Sequence, residues 1–267
     1  MTGLSFITLL AYDYRYAFSA VGSYYDIADE ILLGLDRDRL TWMGQAFTID
    51  MDAVRSFVAQ IDKDRKIRIV EGDFHSADDP MANDSLERSE LSLQARADNW
   101  VVQIDADEVV LNGAEFKSWL LQYEPRENNA FARWISVFKV FDQQALLVDP
   151  PREVVPVATM LRGRYVAARA TGQKGVLSPL QLLHFSWGRS AVQLRQKLDN
   201  WGHVRDFDVG RFFDFWQSIT LENYAGARDF HPLHGPKWQS LKLAQLPFHP
   251  EFPLDGMGTG VAGGAAQ

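Results

Sequence analysis

Apolar stretches of strand length alternate with amphipathic stretches along the first half of the chain. Residues 4–10 are short and apolar and predict a buried strand, and residues 30–35 and 66–70 predict two further short strands. Residues 15–25, 50–61 and 86–97 predict helices between them, while the Gly, Asp, Pro and Ser residues of 71–83 predict a loop. Regular alternation of strand and helix favours a parallel, doubly wound sheet in this half.

The pattern changes after a predicted helix at residues 113–123. Residues 131–141, 145–148, 155–160 and 165–168 predict strands joined by short turns, and residues 180–185 predict a last strand. Two further helices are expected, over residues 190–204 and 211–225. The fold class is therefore α/β, with a mixed sheet flanked by helices and an antiparallel-leaning C-terminal half. We predict one domain over residues 1–255 and a disordered, glycine-rich tail over residues 256–267.

The composition narrows the kinds of function that the chain can have. Of its 267 residues 46% are hydrophobic, which is enough for one large core. The formal net charge of −8 disfavours binding to nucleic acid. The absence of cysteine excludes disulfides, thiolate metal sites and cysteine nucleophiles, so the chemistry must rest on oxygen and nitrogen ligands. Aromatic residues make up 12%, and they suit either an aromatic core or surfaces that stack on sugars.

The sequence also bears on location. The apolar run at residues 4–11 is too short to span a bilayer, and no Lys or Arg precedes it as in a signal peptide. We therefore predict a cytoplasmic protein, with peripheral contact at the inner face of the membrane as an option. The membrane option rests on one cluster of aromatic residues with an arginine: Arg211, Phe212, Phe213, Phe215 and Trp216. Such a cluster more commonly packs into the protein interior.

The strongest candidate for chemistry is an acidic box, the Asp-Ala-Asp-Glu sequence of residues 105–108. It follows a predicted buried strand at residues 100–104, and ligands bind at the carboxyl ends of strands in open α/β sheets. Asp105 and Asp107 can share Mg²⁺ or Mn²⁺ with the oxygens of a diphosphate. A short D-x-D sequence is more commonly a solvated loop or a helix cap. The buried strand before it favours a site, because buried carboxylates need a cation or donors nearby.

This box and its setting resemble the GT-A class of glycosyltransferases, in particular family 2 and its relatives, over residues 4–204. The resemblance implies that the first strand and turn, with Tyr12 and Asp13, line a nucleotide. It also implies that Asp36 approaches the base or ribose, and that Asp105 and Asp107 hold the metal and the donor phosphates.

Two further parts of the chain extend the resemblance. Family 2 members often carry Arg-Asn-x-Gly on the helix before the box; this chain has Arg88 followed by Ser89 and Glu90, and Arg88 is a candidate contact to the donor. Downstream, related transferases place a His, a Ser and a Lys, which here are His184, Ser190 and Lys197. The resemblance implies that His184 completes the metal site. Arg189 and Lys197 are candidates to neutralise the departing diphosphate. A structural histidine and an ordinary basic helix face are the alternatives.

A transfer that inverts configuration also needs a group to remove the proton of the acceptor hydroxyl, usually a carboxylate. Three residues after the box are candidates, namely Glu153, Asp142 and Asp149, and we prefer Glu153 because a stiff Pro-Pro turn precedes it. The remaining histidines of the C-terminal third match no ligand motif and are expected in loops: His203, His231, His234 and His249.

Together these observations predict a metal-dependent glycosyltransferase using Mn²⁺ or Mg²⁺. It would move a sugar from a nucleotide-diphospho-sugar to a saccharide or lipid-linked glycan acceptor, in glycan or surface-polysaccharide synthesis. Two alternatives stay open. A sugar-phosphate nucleotidyltransferase needs a Gly-rich basic segment after the first strand, which residues 11–15 lack. A non-catalytic carbohydrate-binding protein of the same fold would bind glycans without turnover.

Overall fold

One mixed sheet of ten strands runs through the computed structural model, which describes residues 2–124, 129–233 and 238–246. The main path of the sheet has eight strands in the order β10-β7-β6-β8-β4-β1-β2-β3, and β9 joins it by pairing with β6. The strands are β1 (Leu4–Leu10), β2 (Glu30–Asp36), β3 (Ile67–Gly72), β4 (Trp100–Gln103), β5 (Glu108–Val110), β6 (Asn129–Phe141), β7 (Gln144–Asp149), β8 (Val154–Thr159), β9 (Gly175–His184) and β10 (Ser240–Gln245).

The N-terminal half is parallel, as the sequence predicts. Strand β1 pairs in parallel with β2 and with β4, and β2 pairs in parallel with β3. A helix lies between each strand of this half and the next. The helices of the described chain are α1 (Tyr16–Tyr24), α2 (Met51–Ile61), α3 (Pro80–Gln94), α4 (Gly113–Gln122), α5 (Ala191–Asn200) and α6 (Val209–Ser218).

Local sequence sets where several helices begin. The Asp50 carboxylate accepts hydrogen bonds from two backbone N–H groups in the first turn of α2, and Asp79 caps α3 just before Pro80. Ser190 and Gln193 form a capping box at the start of α5. These caps fix the starts of the two helices, α3 and α5, that present side chains to the carboxyl ends of the strands.

The C-terminal half is mostly antiparallel and confirms the predicted mixed α/β class. Strand β8 pairs antiparallel with β4 and β6, β7 pairs antiparallel with β6 and β10, and β5 pairs antiparallel with β9. Strands β6 and β9 are parallel. Because β4 lies between β1 and β8, the segment after β4 sits where the parallel and antiparallel parts of the sheet meet.

Two large apolar clusters flank this junction. One packs around β1, β2 and β4, and the other is an aromatic cluster in the C-terminal half built on Phe138, Trp187 and Trp238. Phe212 and Trp216 of α6 are buried in the second cluster, while Arg211 is exposed, so the aromatic segment considered for membrane contact packs largely inward. Among the described residues, every helix is too short or too polar to cross a membrane.

Two features differ from the sequence-based expectations, and a third expectation is untested. The strand predicted at residues 165–168 is wrong, because Ala168 has a φ of 46° and the segment turns back through a bridge between Ala167 and Ala170. Strands β5 and β10 were not predicted; β5 has three residues and depends on pairing with the distant β9. The predicted tail and the end of the predicted domain lie outside the described residues.

Candidate active site

A cavity of about 650 Å³ lies at the carboxyl ends of β1, β2 and β4, with the acidic box in the middle. Asp36, at the end of β2, lies on one side of the box, and Glu153, before β8, lies on the other. Most of the predicted site residues line this cavity: Tyr12, Asp13, Asp36, Arg88, Asp105, Asp107, Glu153, His184 and Lys197. The fold thus gathers residues from most of the length of the chain.

Asp105 is held by two arginines. Its Oδ1 accepts a hydrogen bond from Arg88 Nη1 at 2.9 Å, and its Oδ2 lies 2.5 Å from Arg169 Nη2. Burial acts to raise the pKa of Asp105, but Arg169 and Arg88 outweigh it and hold that pKa well below the ordinary value. Arg88 was predicted from the sequence; Arg169 was not, because an arginine in a turn 64 positions after Asp105 carries no recognisable signal.

Asp107 is held by a second pair of cations. Its Oδ2 accepts hydrogen bonds from Arg189 Nη2 and from Lys197 Nζ, both at 2.6 Å. Arg189 also donates to Asp13 at 2.8 Å, so Arg189 reaches the site through these two carboxylates although it is not among the residues that line the cavity. Burial acts to raise the pKa of Asp107, yet its positive neighbours, Lys197 foremost, hold that pKa well below the ordinary value.

Glu108, the last residue of the box, contacts both Asp105 and Arg169. It is fully buried, and its Oε1 accepts from Trp134 Nε1 at 2.6 Å and from Arg169 Nη2 at 2.7 Å. Its Oε2 accepts from the backbone N–H of Asp105 at 2.9 Å. Glu108 therefore fixes both the turn that carries Asp105 and the arginine that faces it.

His184 ends β9 directly opposite Glu108 in the strand register. Its ring stacks on Trp134 with centroids 4.4 Å apart, and its Nε2 lies 3.7 Å from Asp107 Oδ1. Burial lowers the pKa of His184, which favours the neutral ring at pH 7.

Asp105, Asp107 and His184 do not form a ready-made metal centre. Among the described residues, no group of three or more His, Asp or Glu side chains is placed to hold a metal ion. Both aspartates are instead already paired with two cations each. The Mn²⁺ or Mg²⁺ site expected from the sequence stays a prediction.

Glu153 lies in the cavity with both carboxylate oxygens bound. Its Oε1 pairs with His231 Nε2 at 3.2 Å, and its Oε2 accepts from Trp238 Nε1 at 2.7 Å and from Ser136 Oγ at 3.2 Å. Burial acts to raise the pKa of Glu153, but the hydrogen bonds from His231 and Trp238 hold it below the ordinary 4.5. The other two candidate bases, Asp142 and Asp149, do not line the cavity. Asp142 is exposed in the β6–β7 turn, and Asp149 ends β7.

The side of the cavity near β2 is built by the loop of residues 37–50. The Asp36 carboxylate organises this loop, because it accepts from the backbone N–H groups of Asp38, Leu40 and Phe74 at 2.9–3.0 Å. Thr41 Oγ1 then donates to Asn200 Oδ1 of α5 at 2.7 Å, which ties the loop to the other half of the chain. The predicted contact of Asp36 with a base or ribose stays a prediction.

Comparisons with known proteins return distant structural likenesses. No protein-family model matches the chain, and no curated protein matches it. TarS of S. aureus is similar over 52% of this chain and 36% of the TarS 1-349 chain, at 12% identity and a TM-score of 0.33, and over 51% and 22% when compared with a longer TarS chain. The match thus spans well under half of TarS. A 4-diphosphocytidyl-2C-methyl-D-erythritol synthase is similar over 66% of this chain and 89% of its own, at 11% identity and a TM-score of 0.37.

Proposed function

We propose that this chain is a glycosyltransferase that moves a sugar from a nucleotide-diphospho-sugar to an acceptor hydroxyl. The observation that supports it best is the cavity itself, in which buried cations surround the acidic box and an ionised carboxylate, Glu153, lies to one side. The cavity has a charged centre that suits a diphosphate and an end with apolar side chains that suits a nucleobase. The opposite end carries a carboxylate that can take the proton of an acceptor hydroxyl.

The diphosphate would lie against the basic side chains at the centre. Arg88, Arg169 and Lys197 line the cavity, and charge-assisted hydrogen bonds to phosphate are among the stronger polar contacts in proteins. The Lys197 ammonium has three N–H donors, and among the described residues Asp107 accepts one of them. Lys197 can therefore bind a phosphate oxygen without releasing Asp107.

The two ends of the cavity differ in chemistry. Toward β2 the wall contains Leu40, Trp42 and Phe47, which suit a flat, weakly hydrated base. Toward β8 it contains Trp134 and Glu153, an aromatic face and a carboxylate that suit a sugar acceptor. We therefore assign the nucleotide to the first end and a saccharide or glycan acceptor to the second.

In the transfer, the acceptor oxygen forms a bond to the anomeric carbon while the bond from that carbon to the phosphate oxygen breaks. The electron pair leaves with the nucleoside diphosphate, whose charge Lys197 and the neighbouring arginines stabilise. Glu153 takes the proton of the acceptor hydroxyl. The inverting outcome comes from the resemblance to family 2.

The test is a thermal-shift screen of nucleoside diphosphates in EDTA and in Mn²⁺, followed by a donor-hydrolysis assay. A ligand that binds only the folded state at about 100 times its Kd adds about 2.7 kcal/mol to stability, so a bound nucleotide gives a clear rise in melting temperature. The EDTA arm tests the metal requirement in the same experiment. Slow release of free sugar from the bound donor is expected from a transferase. In a parallel assay with a nucleoside triphosphate and a sugar phosphate, attack of the sugar phosphate on the α-phosphorus with release of pyrophosphate would indicate a nucleotidyltransferase. Glycan binding without turnover in either assay would indicate a carbohydrate-binding protein.

A further inference from the structure

Glu87 is a buried acid in the cavity with no part in the transfer described above. It lies on α3, one residue before Arg88, and is 5% exposed. Its side chain lines the end of the cavity toward β2, where Leu40, Phe47 and Met81 also contribute. A carboxyl group buried beside these apolar side chains is costly to keep there unless it has a partner.

One oxygen of Glu87 has a defined partner. Its Oε2 accepts a hydrogen bond from Trp42 Nε1 at 2.8 Å, and the Trp42 side chain lines the same wall. Trp42 is itself fixed, because its backbone carbonyl accepts from Asn83 Nδ2 at 2.9 Å and it follows Thr41, which is tied to Asn200. The carboxyl group of Glu87 is thus held in one orientation, with Oε2 toward the indole.

The charged groups facing Glu87 are Asp84 and Arg88 on its own helix and Asp36 at the end of β2. Burial, opposed by the Trp42 hydrogen bond, raises the pKa of Glu87 to about 8, and the Asp84 and Asp36 carboxylates act in the same direction as burial. At pH 7 the group therefore carries a proton. With Oε2 accepting from the indole, Oε1–H is the donor that remains.

We propose that Glu87 recognises the nucleobase of the bound nucleotide by donating a hydrogen bond from its carboxyl O–H to a carbonyl oxygen on the edge of the base. This rests on the proposed function, which places the nucleotide at this end of the cavity. The chemistry selects bases such as uracil or guanine, which carry a carbonyl there, over adenine, which carries none. An ionised Glu87 would repel the same oxygen, so binding requires the neutral group.

Affinity for the nucleoside diphosphate should therefore depend on pH. When a ligand binds only one form of a protein, the apparent Kd is the intrinsic value divided by the fraction in that form. With a pKa near 8 the neutral fraction of Glu87 falls from about 0.9 at pH 7 to about 0.1 at pH 9. UDP or GDP should therefore bind about tenfold more weakly at pH 9 than at pH 7.

The experiment is isothermal titration calorimetry of UDP, GDP, ADP and inorganic pyrophosphate at pH 7 and pH 9. It is run on the wild type, on Glu87→Gln and on Glu90→Gln, an exposed acid of the same helix. Glu87→Gln keeps an N–H donor and a carbonyl for Trp42, so it should bind UDP or GDP equally at both pH values. Glu90→Gln should show the tenfold loss of the wild type. Pyrophosphate has no base and should show no such loss in any of the three proteins.

Several outcomes overturn the proposal. An undiminished pH effect in Glu87→Gln, a tenfold loss for pyrophosphate, or tighter binding of ADP than of UDP and GDP would each remove Glu87 from base recognition and leave the proposed function standing. Failure of every nucleoside diphosphate to bind at either pH would overturn both the role of Glu87 and the proposed function. The comparison of UDP or GDP with pyrophosphate needs the wild type alone, so the proposal stays testable if Glu87→Gln does not fold.

Discussion

At the scale of single residues, the ion pairs of Asp107 tie stability to pH. Replacing Asp107 with Asn leaves Arg189 and Lys197 without their shared carboxylate, so we expect the free energy of unfolding to fall by about 3 kcal/mol at pH 7. Because the folded-state pKa of Asp107 is lowered, its contribution is present above the unfolded pKa of about 4 and is lost as pH falls through the folded pKa. Urea denaturation at pH 7, 4 and 3 should show that the stability advantage of the wild type over Asp107→Asn starts to shrink near pH 4 and is smaller, though not abolished, at pH 3. A gap that stays constant down to pH 3 would contradict the ion-pair account.

Glu153 and Asp142 form a natural matched pair, since both are candidate bases from the sequence but only Glu153 lies in the cavity. Glu153→Gln should lower turnover by about 100-fold or more with nucleotide affinity unchanged, because a positioned base contributes about 10²–10⁴ to rate. Asp142→Asn should be neutral in both. Since the pKa of Glu153 is lowered, this group should limit the rate only below pH 4.5. Steady-state kinetics with donor and acceptor varied separately measure this, and equal turnover in both variants would exclude Glu153 as the base.

At the scale of elements, the packing of α3 on β2 controls the position of Arg88 and Glu87. A Cβ at Gly34 of β2 would overlap Leu91 Cδ1 of α3, and Leu91 is fully buried. Gly34→Ala should therefore cost about 1–3 kcal/mol and weaken nucleotide binding, since α3 must shift to accept the methyl group. Gly22→Ala on the exposed face of α1, where a Cβ meets nothing within 4 Å, should instead stabilise by about 0.5–1 kcal/mol. Thermal unfolding and UDP titration of the two variants check this; a stable Gly34→Ala with normal binding would show that α3 is not rigidly seated.

Elements differed in how far the sequence could predict them. Strands β1 and β2 are apolar along their length and were placed within a residue, because burial on both faces leaves a continuous apolar run. Strand β5 is three residues long and exists through pairing with β9, information that no local window contains. The segment at residues 165–168 has strand-like apolar residues, but the left-handed backbone at Ala168 sends Arg169 to Asp105 instead.

At the scale of the whole molecule, one sheet joins the two halves, since β4 pairs with β1 on one side and β8 on the other. We therefore expect a single cooperative unfolding transition, which also tests the predicted single domain. Tryptophan fluorescence, to which the C-terminal aromatic cluster contributes four of the eight tryptophans, and far-ultraviolet circular dichroism should give coincident urea transitions. Two separated midpoints would mean that the halves unfold independently.

Some residues of the candidate site could be recognised in the sequence, and others could not. A recognisable sequence pattern contains the acidic box, His184 and Lys197 in that order. In the structure these residues lie at one cavity. Arg169, Glu87 and Trp42 were missed, because each depends on a tertiary contact made across the cavity wall: Arg169 with Asp105, and Glu87 with Trp42. The contact of Asp36 with a ligand stays a prediction; in the structure its carboxylate supports the loop after β2.

The long separation between Asp107 and its cations has a consequence for synthesis on the ribosome. Arg189 and Lys197 follow Asp107 by 82 and 90 residues, so the box leaves the exit tunnel well before any partner for this carboxylate exists. Strands β1 to β4 can associate first, since domains begin to fold from the N-terminal end as they emerge. The nascent chain must then carry a hydrated, negatively charged strand end until α5 is translated. A chain that stops before α5 would contain strands β1 to β4 but would leave Asp107 exposed to solvent. Chaperones and proteases could recognise this acidic surface, which is buried in the finished protein.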